Sequence, residues 1–362
     1  MTNRLTVSID LEAIKANMRR LQQLLPTTTI LGVVKANAYG HGAVPVAKSL
    51  AVAGVDWLGV ASLDEAVELR MAGIELPTLL LGAPLEANIP GLVENDITLA
   101  ATDEATMAKI AEEAKKQGKI AQTHLLVDTG MGRLGQYEGV AVQLAQKIKK
   151  STYVVQTGTF THFFSDETDP VQVQLTRFKV FLNELRKLTP LGLTHIASSG
   201  SVDVQQREDF SMLRTGRLLY GIGVCSERYE MTPAMCVRSK VAFIKTVPQG
   251  SNIGYHPGYK VRKDTLVATI PVGYADGYPQ VKNKQAYVLI RNKPAPIIGK
   301  VCMDYLTVDV TQIKDVKVGD VVCLLGCMGP MQITTNDLTH ATDRSEYEIV
   351  LGFGNSSRKS CE

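Results

Sequence analysis

Lys35 stands at the end of a run of apolar residues, in VVKANAYGHG (33–42). A lone lysine at the carboxyl end of a strand is ordinarily a solvated surface cation. In a partly desolvated site the same amine has a lowered pKa and becomes a nucleophile that forms a Schiff base with a carbonyl, as an aldehyde cofactor requires. Tyr39, one helical turn on, offers a phenol to a cofactor phosphate, and Gly40 and Gly42 allow close approach of backbone. In LRTGRLLYG (213–221), the plain reading is a tight turn with an exposed arginine. The functional one is that the backbone N–H groups of Gly216 and Arg217 bind a phosphate, with the hydroxyl of Ser199 from HIASSG (195–200) beside them. DTGMGRLG (128–135) and THFF (161–164) add further polar residues, among them His162, a residue type that is as often a satisfied core group as a catalyst.

These stretches all follow apolar runs. Candidate strands are 30–35, 56–61, 78–82, 97–100, 123–128, 154–162, 193–198 and 212–216, and amphipathic segments such as 63–73, 104–118 and 171–188 separate them. Ser62 followed by Glu65 has capping-box spacing and marks one helix start. Strands alternating with helices over this length predict an α/β fold, a (β/α)8 TIM-like barrel, with a doubly wound open sheet as the alternative. Polar residues after the strands favour the barrel, whose sites collect at the carboxyl ends of its strands. Past residue 233, short β-branched runs broken by Pro, Gly and Asn predict a C-terminal all-β domain, with one brief helix in TTNDLTHAT. The expected domains are therefore 1–233, whose first few residues pair with the β-domain, and 234–362.

The chain has 362 residues, is 45% hydrophobic and carries a net charge of +3, which argues for small-molecule partners rather than nucleic acid or a membrane surface. Six cysteines without CxxC or Cys/His spacing favour free thiols in a reducing, cytoplasmic setting and no metal. No apolar run reaches the roughly 18 residues of a membrane span, so a soluble chain is expected.

VVKANAYGHG, VDTGMGRLG, GTFTHF, LRTGRLLYG, GYADG and VCMD, in this order over nearly the whole chain, resemble the alanine racemase family. The resemblance implies pyridoxal 5'-phosphate (PLP) as cofactor, a barrel followed by a β-domain, and a homodimer with shared active sites. It makes Lys35 the Schiff-base lysine and one of two opposed acid–base groups. The other is Tyr255, 19 residues before Tyr274 of GYADG, contributed by the partner subunit. Arg214 matches the arginine beside the pyridine nitrogen, and His162 the histidine that orients it and the tyrosine base. Tyr39, Ser199, Gly216 and Arg217 match the phosphate site. Arg133 and the backbone at Met303, with Asp304 beside them, match groups that hold the substrate carboxylate, and Tyr274 matches a tyrosine at the substrate entrance.

Three departures bear on specificity. Leu126 stands where many members have a lysine that is carbamylated to position the arginine, so a bound anion or a neighbouring amide is expected to hold Arg133. Thr215 and Arg217 replace the usual proline and apolar residue of the phosphate turn. Asn355 stands where members have a tyrosine that crowds the substrate side chain. The shorter amide leaves room and offers hydrogen bonds to a hydroxyl, which in an apolar pocket without a partner is penalised by roughly 1–3 kcal/mol. This pattern looks like the catalytic domain of membrane-anchored serine/alanine racemases of the vancomycin-resistance VanT type, in which a multispan segment precedes the racemase. The expected activity is interconversion of L- and D-serine, and of alanine, supplying D-serine for vancomycin-resistant peptidoglycan precursors. The alternatives are an ordinary alanine racemase supplying D-alanine and, opposed by Arg214, a decarboxylase of the same architecture.

Overall fold

The computed structural model describes residues 4–165, 167–208, 210–255, 258–282, 286–355 and 359–361. They fall into two compact units. One comprises Lys15–Ala38 and Ala43–Leu219; the other comprises the described residues that precede and follow, together with Tyr39–Gly42.

After β1 (Leu5–Ile9), the first unit contains eight strands: β2 (Thr29–Val33), β3 (Trp57–Val60), β4 (Thr78–Leu80), β5 (Leu99–Ala101), β6 (Ala121–Leu126), β7 (Val154–Phe160), β8 (Leu193–His195) and β9 (Met212–Thr215). They pair in parallel as β4-β3-β2-β9 and β5-β6-β7-β8. The Leu79–Thr98 bridge joins the two sets at one seam, and Arg214 N–H donating to Ala197 O at 3.3 Å joins them at the other. The result is the closed parallel barrel. Its strands are apolar runs rather than alternating ones because strands of such barrels are covered on both faces, as the burial of Ile30, Leu31, Leu58 and Leu79 illustrates. The intervening helices bury one stripe: in Glu104–Lys116, Met107, Ile110 and Ala114 are inside, and Asp103 caps the start by accepting from Thr106 N–H.

Ser62 caps the helix Leu63–Met71 as expected, accepting from Glu65 N–H at 3.3 Å. The Glu65 carboxylate, however, is used elsewhere, accepting from Ala61 N–H and Ala36 N–H, each at 2.7 Å. It thereby anchors the turn after Lys35. That turn is not the ordinary right-handed one expected from the sequence: Ala36, Asn37, Ala38 and Tyr39 all have φ between 51 and 53°. A left-handed turn costs about 1–2 kcal/mol per L-residue. Offsetting bonds come from Glu65 and from the Asn37 side chain, which accepts from Ala43 N–H at 2.7 Å.

In the second unit β1 pairs antiparallel with β10 (Met235–Lys240). The remaining strands are β11 (Phe243–Val247), β12 (Asn252–Ile253), β13 (Tyr259–Lys260), β14 (Thr265–Ile270), β15 (Tyr287–Ile290), β16 (Lys293–Pro296), β17 (Leu306–Asp309), β18 (Val321–Met328), β19 (Met331–Ile333) and β20 (Lys359–Cys361). The main sheet runs β16-β15-β18-β10-β1-β20, with β19 on β18; β11-β14-β17 and β12-β13 form smaller sheets. Besides the expected helix, Thr335–Ala341, this unit contains the helix Glu346–Gly354. The sequence pattern predicts no element there; Ser345 and Glu348 form a capping box that starts the helix. The helix ends against the Tyr39–Gly42 segment so closely that a Cβ on Gly354 would lie 2.3 Å from Gly40 Cα. Among the described residues no helix is long and apolar enough to cross a membrane.

Candidate active site

Within the barrel unit, Lys35 follows β2 and is half-buried. Burial lowers its pKa, the Arg133 guanidinium lowers it further, and Glu65 partly opposes both. Its Nζ makes no hydrogen bond to another described residue.

Arg214, on β9, is buried and has no carboxylate among its hydrogen-bond partners. Its Nη1 donates to His195 Nδ1 at 2.6 Å, and its Nη2 donates to Thr161 O at 2.8 Å, Ile196 O at 3.1 Å and His162 Nδ1 at 3.2 Å. Burial pushes its pKa down to about 9, which leaves it cationic at neutral pH. The His162 pKa falls to about 3 through burial and then through Arg214, Arg133 and Lys35, so this imidazole is neutral. Phe160 stacks on His195 at 4.7 Å and fixes its plane.

The expected phosphate donors are partly engaged with one another. Gly216 N–H donates to Ser199 Oγ at 3.2 Å, and Ser199 Oγ also contacts Thr215 Oγ1 at 3.1 Å. Thr215, in place of the usual proline, therefore supplies an extra hydroxyl to this corner, and the short helix Arg217–Tyr220 starts directly after it.

Arg133 is exposed and makes no hydrogen bond or ion pair with another described residue. Its loop is shaped from below. Asp128 accepts from Gly130 N–H and Gly132 N–H, each at 2.9 Å at its shortest, and Gln174 ties Thr129 Oγ1 to His162 O at 3.1 Å each. Leu126 is buried against Ala100 and Phe160 with Leu134 packed on them, so the lysine-to-leucine departure closes this spot with apolar side chains.

The second unit holds the other expected residues. Tyr39 lies 5.2 Å from the Tyr220 ring and 5.5 Å from Tyr347. Asn355 is the exposed C-cap of the helix whose last residue, Gly354, abuts Gly40. Tyr255, Tyr274 and Met303 are exposed at 68%, 46% and 53%. The last two are tied together: Tyr274 N–H donates to Cys302 O and Ala275 N–H to Met303 O, each at 3.1 Å. Arg4 clamps the same two loops, its Nη2 donating to Asp276 Oδ2 at 2.9 Å and to Asp304 O at 2.7 Å while Nε donates to Pro271 O. The residues next to Tyr255, His256 and Pro257, lie outside the described ones.

Sequence reasoning missed Arg4, Glu65, His124, Gln174 and His195. His195 begins the HIASSG motif, but only Ser199 was singled out in it; Glu65 was read only as part of a helix cap; Arg4, His124 and Gln174 carry no local signal.

The barrel unit fits PLP. A half-buried amine of lowered pKa suits the aldehyde, and Arg214, a buried cation whose hydrogen bonds to the described residues leave from Nη1 and Nη2, would offer its Nε–H to the pyridine nitrogen. The comparisons agree. Residues 9–223 match the family model "Alanine racemase, N-terminal domain" and residues 234–360 match "Alanine racemase, C-terminal domain". The chain is 36% identical over 353 residues to the alanine racemase of Halothermothrix orenii, covering 95% of this chain and 93% of that one. It is also 36% identical to that of Methanococcus maripaludis, over 94% of each. Among solved structures, alanine racemase from a D-cycloserine-producing Streptomyces lavendulae superposes with a TM-score of 0.93 at 30% identity, covering 100% of this chain and 98% of that one.

Proposed function

The chain belongs to the alanine racemase family of PLP-dependent amino-acid racemases, and on that premise we propose that Lys35 and Tyr255 are its two acid–base groups, that alanine is its principal substrate, and that serine is a second one. The observation that carries the reading is Arg214: a buried cation surrounded by neutral acceptors, in the barrel unit that also presents Lys35 with a lowered pKa.

PLP, when bound, supplies the electron sink that makes the substrate α-hydrogen acidic. The residues of this chain do the rest. Lys35 Nζ takes or returns that proton on one face, and Tyr255 Oη does so on the other, so inversion follows from which group returns it. The lowered pKa of Lys35 enlarges its neutral, proton-accepting fraction near neutral pH. Arg214, cationic at neutral pH, would face the ring nitrogen as a donor that does not pass its proton on, which opposes the decarboxylase reading. By the family resemblance, Ser199, Gly216 and Arg217 of the barrel unit would hold the phosphate, as would Tyr39; His162 would orient Arg214; Arg133 would receive the substrate carboxylate, a role also read for the backbone at Met303 and for Asp304; and Tyr274 would line the entrance.

A second copy of the chain supplying Tyr255 is supported by large side chains left exposed in neighbouring loops, Tyr274, Met303 and Tyr305. The free thiols of Cys225, Cys236, Cys302, Cys323 and Cys327 support a reducing, cytoplasmic setting. The alanine racemases compared above support alanine. Serine is supported by Asn355, which follows the Gly354–Gly40 contact beside Tyr39 and leaves room and hydrogen-bonding groups where a tyrosine would stand. The same residue supports kinship with the VanT type, whose product serves vancomycin-resistant precursors.

The test is kcat/KM for L-alanine and L-serine with added PLP. Asn355→Tyr is expected to shift the ratio toward alanine by about 5–150-fold, the equivalent of roughly 1–3 kcal/mol for a hydroxyl that loses its partner. An unchanged ratio removes Asn355 from specificity.

A further inference from the structure

Arg214 is linked through His195 to a second buried histidine, His124 on β6. Arg214 Nη1 can only donate, so His195 Nδ1, 2.6 Å away, accepts and the ring proton of His195 is on Nε2. That Nε2–H donates to His124 Nδ1 at 2.8 Å, so the proton of His124 is also on Nε2. A second proton on either ring would set two donors face to face. The contacts therefore require two neutral imidazoles in one tautomer, whatever the pH near neutrality.

We propose that His124 is a positioning residue that, through His195, holds the Arg214 guanidinium in a single orientation; this rests on the reading of Arg214 as the partner of the cofactor nitrogen. The barrel makes room for it. A Cβ at position 158 would lie 2.6 Å from three atoms of the His124 ring, so only glycine fits there, and the β6–β7 register shifts between Thr123 and His124. His124 also brings a cost that packing alone does not explain, since its Nε2 is buried with no partner among the described residues. An apolar side chain would avoid that cost but would leave His195 Nε2–H unpaired. His195 would then be free to move its proton to Nδ1 and turn a donor toward a donor.

Burial and Arg214 lower the pKa of both rings, that of His124 to about 3, and the two rings and Arg214 are the titratable groups that act on one another here.

Two variants test this in the holoenzyme. His124→Asn keeps an acceptor where Nδ1 stood; His124→Phe keeps ring volume and removes it. With the histidines 15N-labelled, wild-type His124 and His195 are expected as neutral Nε2–H rings that do not titrate between pH 5 and 9; a titrating ring or an Nδ1–H form in either overturns the proposal. His124→Phe is expected to convert His195 toward Nδ1–H, shift the absorbance maximum of bound PLP and lower kcat about 10–100-fold, the range for one hydrogen bond to a charged group, with KM little changed. His124→Asn is expected to restore most of the loss. Fluorescence of Trp57, the chain's single tryptophan, 5.4 Å from the His124 ring, checks that each variant keeps its local packing. Equal losses in both variants with His195 unchanged overturn the proposal in favour of packing. A converted His195 with wild-type absorbance and kcat supports the relay and overturns the role read for Arg214.

Discussion

Lys35→Ala is expected to abolish the visible absorbance of bound PLP and to lower racemisation by about 10²–10⁴-fold or more, because it removes both the covalent attachment and one of two proton-transfer groups. Alanine carries no amine, and no other lysine follows a barrel strand within the described site. Tyr255→Phe separates the two roles: absorbance is expected to stay at the wild-type level while conversion of the L-isomer slows most. Wild-type turnover in Tyr255→Phe removes Tyr255 from the mechanism. Because Tyr255 and Lys35 are read as meeting across two subunits, mixing the two inactive variants is expected to restore part of the activity. Inactivity of a confirmed heterodimer rejects shared sites.

The second large effect is on stability in acid. His124 and His195 are buried neutral, with native pKa values of about 3 and well below 6.5, whereas in the unfolded chain histidine titrates near 6.5. Below about pH 6.5 the unfolded state binds more protons than the native state, so stability is fully present above that pH and is lost as the pH falls toward 3. For His124 this is a loss of about 2 kcal/mol between pH 7 and pH 5, and His195 adds to it in the same direction. Urea unfolding at the two pH values measures it. A midpoint that does not move with pH means that folding keeps neither ring neutral, which the Arg214–His195 contact at 2.6 Å does not allow.

Much of the fold was legible in the sequence because its signals are local. The apolar runs that became β2 to β9 are long enough to mark strands by themselves, and Ser62 marks a helix start through a bond three residues away. Even the helix Glu346–Gly354 had such a signal in Ser345 and Glu348, although its apolar, Gly-containing residues masked it. Lys35, His162 and Ser199 stood out because each follows one of those runs, and Arg214 because it lies near the end of one, where barrels build sites.

What stayed hidden depends on residues far apart in the chain that meet only when the barrel closes. Nothing in the sequence says that His124 on β6, His195 on β8 and Arg214 on β9 share one line of hydrogen bonds, because that follows from which alternate side chains point inward and from strand register. Likewise Glu65 was read as the second half of a cap, and only the tertiary structure assigns it to the left-handed turn after Lys35. The sequence by itself determined the elements and the chemical groups at their ends. The packed structure decided their partners, protonation and tautomers, since those depend on burial and on neighbours that no local spacing encodes.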